Sequence, residues 1–311
     1  MGAAGDDLLP ALGAGRWQLG GERPVARMGF GAMRLTGPGS FGEPADRAEA
    51  RGLLTRALDL GVTLVDTADC YGPGISEAII GEVLATRSST ADVVIATKGG
   101  YIRNGPGLGV ANGTPAHIRA MCNESLGRLG LDEIVLYQLH AVDPAVPIEE
   151  TLGAFVELRE AGKVRHIGLS NVTLAQLRAA QAITPIASVQ NRYNLQDRRS
   201  DTIVDVCAAE GIAFLPWGPL ALDADAPVAA VVRDVAGECG ATTMQVVLAW
   251  ALARSPAMVT IPGTRNVDHV EINVRAAELV LGAERFDRIE RASRAEFVAR
   301  NQARPASEIV Y

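Results

Sequence analysis

Ile134-Val135-Leu136-Tyr137-Gln138-Leu139 and Val164-Arg165-His166-Ile167-Gly168-Leu169 are short runs rich in apolar and β-branched residues, separated by a longer stretch of helical spacing. A strand, a helix and a second strand in that order form a βαβ unit with parallel strands, and this unit decides the fold. The same alternation recurs on both sides of it. Upstream lie runs at Arg27 to Met33, Thr63 to Asp66 and Asp92 to Lys98, and downstream at Ala187 to Gln190, Ile212 to Trp217 and Met258 to Ile261. Helical stretches intervene at Ala45 to Leu60, after Thr114-Pro115, where Thr can cap and Pro fits the first turn, and at Thr242 to Arg254. Eight βα units predict an α/β fold, one closed (β/α)8 TIM barrel over residues 1–311, with a β-hairpin through Trp17-Gln18-Leu19-Gly20-Gly21 closing the barrel bottom. A doubly wound open sheet would carry G-x-G-x-x-G after an early strand, and neither Gly31 nor Gly72-Pro73-Gly74 supplies it.

The composition narrows the function. A chain of 311 residues with 48% hydrophobic and 21% charged side chains is globular, not disordered. A net charge of −7 with no concentrated basic patch excludes nucleic acid as the expected partner. The four cysteines are widely spaced and show no metal-ligand pattern, which fits a reducing compartment. The start carries Asp6 and Asp7 where an export signal needs basic residues, and Asp6 also breaks a myristoylation pattern after Gly2. The longest apolar runs, such as Val246 to Leu252, fall far short of the roughly 20 residues that cross a bilayer. A cytoplasmic protein without a membrane partner is expected, and no heptad pattern argues against a monomer. Segments 1–16 and 298–311 carry no assigned role and are expected to be loose ends.

In such a barrel, chemistry is assembled where strands end. The second run ends on Asp66 and leads to Tyr71, the third ends on Lys98, and the fourth is followed by His140. The fifth gives Ser170 and Asn171, the sixth Gln190 and Asn191, the seventh Trp217, and the eighth Gly263, Thr264 and Arg265. A strand ending on a charge needs a partner, so Asp66 and Lys98 are expected to pair. A lysine beside a phenol is expected to lower the Tyr71 pKa and make it a usable acid, with His140 steering the proton. Singly, each has a plainer reading: an ion pair, a satisfied histidine, a core Trp217, a small buried Cys70, a solvated or capping Asp69. His117 and His166 read as structural. With His140 the one histidine at a strand end, no metal centre is expected, and a metal-dependent hydrolase is set aside.

Val65-Asp66-Thr67-Ala68-Asp69-Cys70-Tyr71-Gly72 resembles the D-T-A-x-x-Y-G signature of the aldo-keto reductases. Glu124-Ser125-Leu126-Gly127-Arg128-Leu129-Gly130, Tyr137-Gln138-Leu139-His140, Gly162 to Asn171 (GKVRHIGLSN) and Ile261-Pro262-Gly263-Thr264-Arg265 resemble further elements of that family, in its order, over roughly residues 17–295. The resemblance implies reduction of a small-molecule aldehyde or ketone by NADPH, with NADH less favoured. Tyr71 would give the proton, Lys98 paired with Asp66 would tune it, and His140 would orient the carbonyl. It places Ser170, Asn171 and Gln190 at the nicotinamide carboxamide, Trp217 on the ring face where most members have tyrosine, Thr264 and Arg265 near the adenosine phosphate, and Asn273 at the adenine. Gly31, Met33, Gly218, Pro219, Leu220, Ile261, Gly263 and His269 complete the expected dinucleotide lining. Many members carry lysine where Gly263 stands and arginine where His269 stands, with Arg265 here the compensating cation. The stretch Gly29 to Gly42 resembles most a bacterial branch with pyridoxal reductase-like enzymes. Arg34, Tyr101, Val142 and Arg192 would then surround the substrate mouth and suit an aromatic or heteroaromatic aldehyde. A sugar or secondary-metabolite ketone, or a regulatory nucleotide-binding subunit like the potassium-channel β subunits, is the alternative.

Overall fold

The computed structural model describes residues 9–107 and 109–303. Its centre is a parallel sheet of seven strands, β1 (Phe30–Gly31), β2 (Leu64–Asp66), β3 (Val94–Gly99), β4 (Ile134–Leu139), β5 (Val164–Ser170), β6 (Ser188–Gln190) and β7 (Ala213–Phe214), each paired with its neighbours in chain order. The eighth run joins the two edges by single bridges, Met258 to Phe214 and Thr260 to Met28. Val259 N donates to Phe214 O at 2.9 Å, and Gly29 N to Thr260 O at 2.8 Å. The sheet is therefore closed into a (β/α)8 barrel.

The runs at the closure are shorter than their apolar stretches predict. Arg27 to Met33 yields only Phe30–Gly31, because a 3-10 helix begins at Ala32. Ile212 to Trp217 yields only Ala213–Phe214. Pro216 has no N–H to continue the ladder. The central β4 has the predicted bounds.

Hairpin strands Arg16–Leu19 and Arg23–Ala26 lie across one end. Leu19 and Val25 are fully buried and cluster with Leu64, Val94, Leu136, Ala213 and Val259, filling the barrel floor as expected. Gly20 and Gly21 turn with φ of 61° and 80°, a region costly for residues with a Cβ. A Cβ on Gly20 would also lie 2.2 Å from the His166 ring, so the turn sits directly on that histidine.

Helices α1 (Arg47–Asp59), α2 (Ile75–Thr86), α3 (Pro115–Leu129), α4 (Ile148–Glu160), α5 (Leu174–Gln181), α6 (Asp201–Glu210), α7 (Pro227–Cys239), α8 (Thr243–Arg254), α9 (Val267–Arg275) and α10 (Gly282–Ala303) surround the strands. Asp46 caps α1 by accepting from Ala48 N and Glu49 N, and Thr242 with Gln245 forms a capping box on α8. Thr114 stands at the cap position of α3 but makes no side-chain cap bond, since its hydroxyl donates to Asn112 Oδ1 at 2.8 Å. Within the expected loose ends, Pro10–Leu12 forms a 3-10 helix whose Ala11 is buried and donates to Leu60 O at 3.0 Å. α10 runs on to Ala303, and residues 1–8 and 304–311 lie outside the described residues. No single described helix is long and apolar enough to cross a membrane.

Candidate active site

The register lifts five polar side chains to one level of the barrel. Asp66 pairs across to Ala96, Lys98 to Gln138, Gln138 to Gly168, and Ser170 to Gln190. Lys98 is fully buried, and its Nζ donates at 2.8 Å to each carboxylate oxygen of Asp66 and to Thr67 O. All three ammonium protons are thereby satisfied. Burial pulls the Lys98 pKa down, but the attraction of Asp66 and Tyr71 prevails and the pKa is raised. Asp66 Oδ1 also accepts from Gln190 Nε2 at 2.7 Å and Gln138 Nε2 at 3.4 Å, and Ser188 Oγ donates to Gln138 Oε1 at 3.2 Å. Gln138 and Ser188 were missed by strand-end reasoning. Their sequence signal is a polar residue two positions before one already flagged, Gln138 before His140 and Ser188 before Gln190, the spacing that shares a strand face.

Tyr71 follows β2 on a tight loop held by Tyr71 N to Ala68 O and Ser76 N to Tyr71 O. Its ring centroid lies 5.2 Å from Lys98 Nζ. Here the structure corrects the expected direction: burial outweighs the lysine and pushes the Tyr71 phenol up to about 12. The group is a protonated acid, not a poised phenolate. His140 meets Tyr71 edge to face at 5.9 Å and lies 5.0 Å from the Tyr101 ring. Burial, then the charges of Lys98 and Arg103, hold its imidazole well below the usual range, so it is neutral. Arg103 is another residue the sequence did not flag; it reaches the site from a loop where it donates to Gly39 O at 3.0 Å. Tyr101 is fixed by its hydroxyl, which accepts from Gly109 N at 2.9 Å.

Asp69 is not the solvated group its loop position suggests. It is 4% exposed, its Oδ1 has no hydrogen-bond partner, and burial together with Glu77 pushes its carboxyl up to about 8. The loop is braced from below by Glu77, itself fully buried, which accepts from Thr97 Oγ1 at 2.5 Å and Arg128 Nε at 2.7 Å. Arg128 belongs to the E-S-L-x-R-L-G stretch, and this is its structural task. Replacing Arg128 with Met leaves Glu77 buried without a cation. A loss of about 3 kcal/mol in unfolding free energy by urea titration is expected, with Glu77→Gln in the same background restoring much of it.

A second polar chain runs beside His140. Asn171, at φ 56°, donates through Nδ2 to His140 O at 3.0 Å and Ser170 Oγ at 3.1 Å, and its Oδ1 accepts from Trp217 Nε1 at 2.9 Å. Trp217 is 37% exposed, so one ring face is free of the core, and the Arg192 guanidinium lies 5.4 Å from the ring centroid. Gln190 donates its amide nitrogen to Asp66, which leaves its Oε1 as the atom that could meet a carboxamide. Asn191 faces away and braces Val172 through both of its amide atoms. Val142 is half-buried against the core, and Met33 and Arg34 are exposed on the 3-10 helix Ala32–Leu35.

At the seam between β1 and the eighth run, a Cβ on Gly263 would lie 2.5 Å from Gly31 O, so both glycines are required by close backbone approach. The Ile261 side chain turns into the barrel interior, and that of Leu220 packs against the core, which leaves their main-chain groups as the polar atoms they could offer. Gly218 has φ 64° and its carbonyl accepts from Asn194 Nδ2, while Pro219 is buried. Arg265 is folded back, donating to Arg34 O, Thr36 O and Gly37 O at 3.0 to 3.3 Å. Thr264 Oγ1 accepts from Asn266 N at 3.0 Å, and His269 is exposed on α9. Asn273, also on α9, is 3% exposed and its Oδ1 has no partner. That orphaned acceptor fits an amino donor from a bound molecule.

Residues 27–294 match the Aldo/keto reductase family. The chain is 40% identical over 281 residues to pyridoxine 4-dehydrogenase of Escherichia coli, covering 88% of this chain and 97% of that protein. It is 39% identical over 282 residues to an uncharacterized oxidoreductase of Schizosaccharomyces pombe, with 91% of each covered. The aldo/keto reductase of Klebsiella pneumoniae, solved with NADP and acetate, superimposes with a TM-score of 0.75 at 25% identity over 89% of this chain and 94% of that one. With its barrel closed, its buried lysine, aspartate and tyrosine and its half-buried histidine gathered at one mouth, the chain belongs to the aldo/keto reductase family.

Proposed function

We propose that the chain reduces an aldehyde or ketone to an alcohol with NADPH, and that Asp66, Tyr71, Lys98 and His140 are the groups that handle the proton. The observation that carries this reading is the fully buried Lys98, saturated by Asp66 and Thr67, beside a protonated Tyr71 and a neutral His140. Tyr71 gives its phenolic proton to the carbonyl oxygen, and the charge of Lys98 stabilises the phenolate left behind. Neutral His140 holds one N–H, which donates to the same oxygen and orients the carbonyl. When bound, NADPH supplies the hydride to the carbonyl carbon.

The residues present fit that dinucleotide. Asn273 offers a buried, unpartnered acceptor for the adenine amino group, and Trp217 offers a free ring face, held by Asn171, for the nicotinamide. Arg265 places positive charge at the seam, which favours the 2′-phosphate of NADPH over NADH. The NADP complex of the Klebsiella relative supports the same choice.

For the substrate we infer an aromatic or heteroaromatic aldehyde, such as pyridoxal. Tyr71, Tyr101 and Trp217 give flat apolar faces at the mouth, and Arg192 adds a cation beside Trp217. The similarity to a pyridoxine dehydrogenase supports this class. The test follows NADPH and NADH oxidation over a panel of aromatic, sugar and aliphatic carbonyls including pyridoxal. Oxidation of NADPH with an aromatic aldehyde preferred is expected. Tight NADPH binding without turnover on any carbonyl would overturn the reading.

A further inference from the structure

Asp69, Cys70 and His140 each bring one ligand-type atom into a cluster within 4.8 Å of one another. Cys70 Sγ lies 3.5 Å from His140 Nδ1. Around one tetrahedral zinc ion, a thiolate sulfur at about 2.3 Å and an imidazole nitrogen at about 2.0 Å are separated by about 3.5 Å. The observed pair already stands at ligand spacing. Independently, Asp69 Oδ1 is buried with no hydrogen bond. The cations nearby are engaged elsewhere: Lys98 donates to Asp66 and Thr67, Arg128 to Glu77, Glu124 and Ser125, and Arg103 to Gly39 O and Ser40 O. A buried carboxyl oxygen without a partner is the kind of group a metal ion satisfies, its proton leaving as the ion binds.

We propose that Asp69, Cys70 and His140 form a binding site for a soft divalent cation such as zinc or cadmium. The thiol, imidazole and carboxylate suit such an ion, and three protein ligands leave a fourth position for water. At rest the thiol and Nδ1 share a hydrogen. On binding, the ion takes the Cys70 thiolate and the Asp69 carboxylate, and the protons held by the thiol and the carboxyl both leave to buffer, so charge and atoms balance. Entry is through the mouth, where His140 is partly exposed. Because the ion would occupy a nitrogen of the ring that orients the carbonyl, it would inhibit reduction. That consequence rests on the proposed reductase activity, whereas the binding itself does not.

The experiment uses untagged protein carrying Cys239→Ala, which removes the partly exposed thiol distant from this cluster. Zinc is titrated by calorimetry, and cadmium by the ultraviolet thiolate-to-metal absorbance. One ion per chain is expected, with a cadmium–thiolate band and zinc inhibition of NADPH oxidation. Adding Cys70→Ala should abolish the band and weaken zinc binding at least tenfold, and Asp69→Asn should weaken it similarly. Absence of the band before Cys70 is altered, or unchanged zinc affinity in a Cys70→Ala protein with a native circular-dichroism spectrum, overturns the site. Because the band is measured with Cys70, Asp69 and His140 all intact, its presence or absence does not depend on how the variants fold. Full binding without inhibition overturns the inhibitory consequence alone.

Discussion

Tyr71→Phe should lower turnover with the best carbonyl substrate about 1000-fold, within the range that a positioned general acid contributes, while the NADPH dissociation constant stays within about twofold. The reason lies in the surroundings. The phenol is almost completely buried, its ring faces Lys98 and His140, and its pKa is pushed up to about 12, so at neutral pH it always holds the proton to be given. Phenylalanine keeps the ring and its edge contact with His140 but removes the O–H. Fluorescence titration with NADPH beside steady-state kinetics separates the two effects. Turnover within tenfold of the wild type would remove Tyr71 from the proton-donating role, and His140 would be the next group to replace.

Lys98→Met should damage both folding and chemistry, the larger structural effect of the two. Removing one member of a buried pair leaves the other as an uncompensated charge, a loss of about 3–5 kcal/mol. Asp66 would keep only the donations from Gln190 and Gln138. Urea unfolding should show the loss, and turnover should fall as the phenolate formed at Tyr71 loses its cation. The double variant Asp66→Asn/Lys98→Met discriminates the roles. Stability should recover by more than half, because no lone buried charge remains, while turnover should stay low. Recovery of both would make the pair a fold element without a part in the reaction.

Much of this was readable from the chain because parallel strands in a barrel are buried on both faces and announce themselves as apolar runs. β4 and β5 sit among neighbours on both sides, and their bounds agree with their runs to within a residue. The runs at the seam misled because an apolar stretch reports burial, not ladder length. Around Arg27 to Met33 and Met258 to Ile261, residues are held by single bridges and loop hydrogen bonds. At the site, the pairing of Lys98 with Asp66 followed from the high energy of a lone buried charge. The direction of the Tyr71 shift did not follow, since a list of neighbouring charges omits desolvation, and here desolvation is the larger effect. Asp69 illustrates the same blindness: its place in a loop suggests water, but Glu77, Arg128 and the turn through Gly74 close over that loop. Gln190 shows another limit, because side-chain type predicted an amide at the site but not that its nitrogen would also hold Asp66.

The meeting of Gly31 and Gly263 bears on how cofactor preference can evolve. Any side chain at position 263 brings its Cβ to 2.5 Å from a main-chain oxygen, so the lysine carried there by many aldo-keto reductases is not reachable by one mutational step. A lineage starting from this backbone would first have to open the join between the first and last barrel units, passing through a variant worse than either end point. A change of charge beside this join is met more readily at Arg34, Arg265 and His269, whose side chains are exposed.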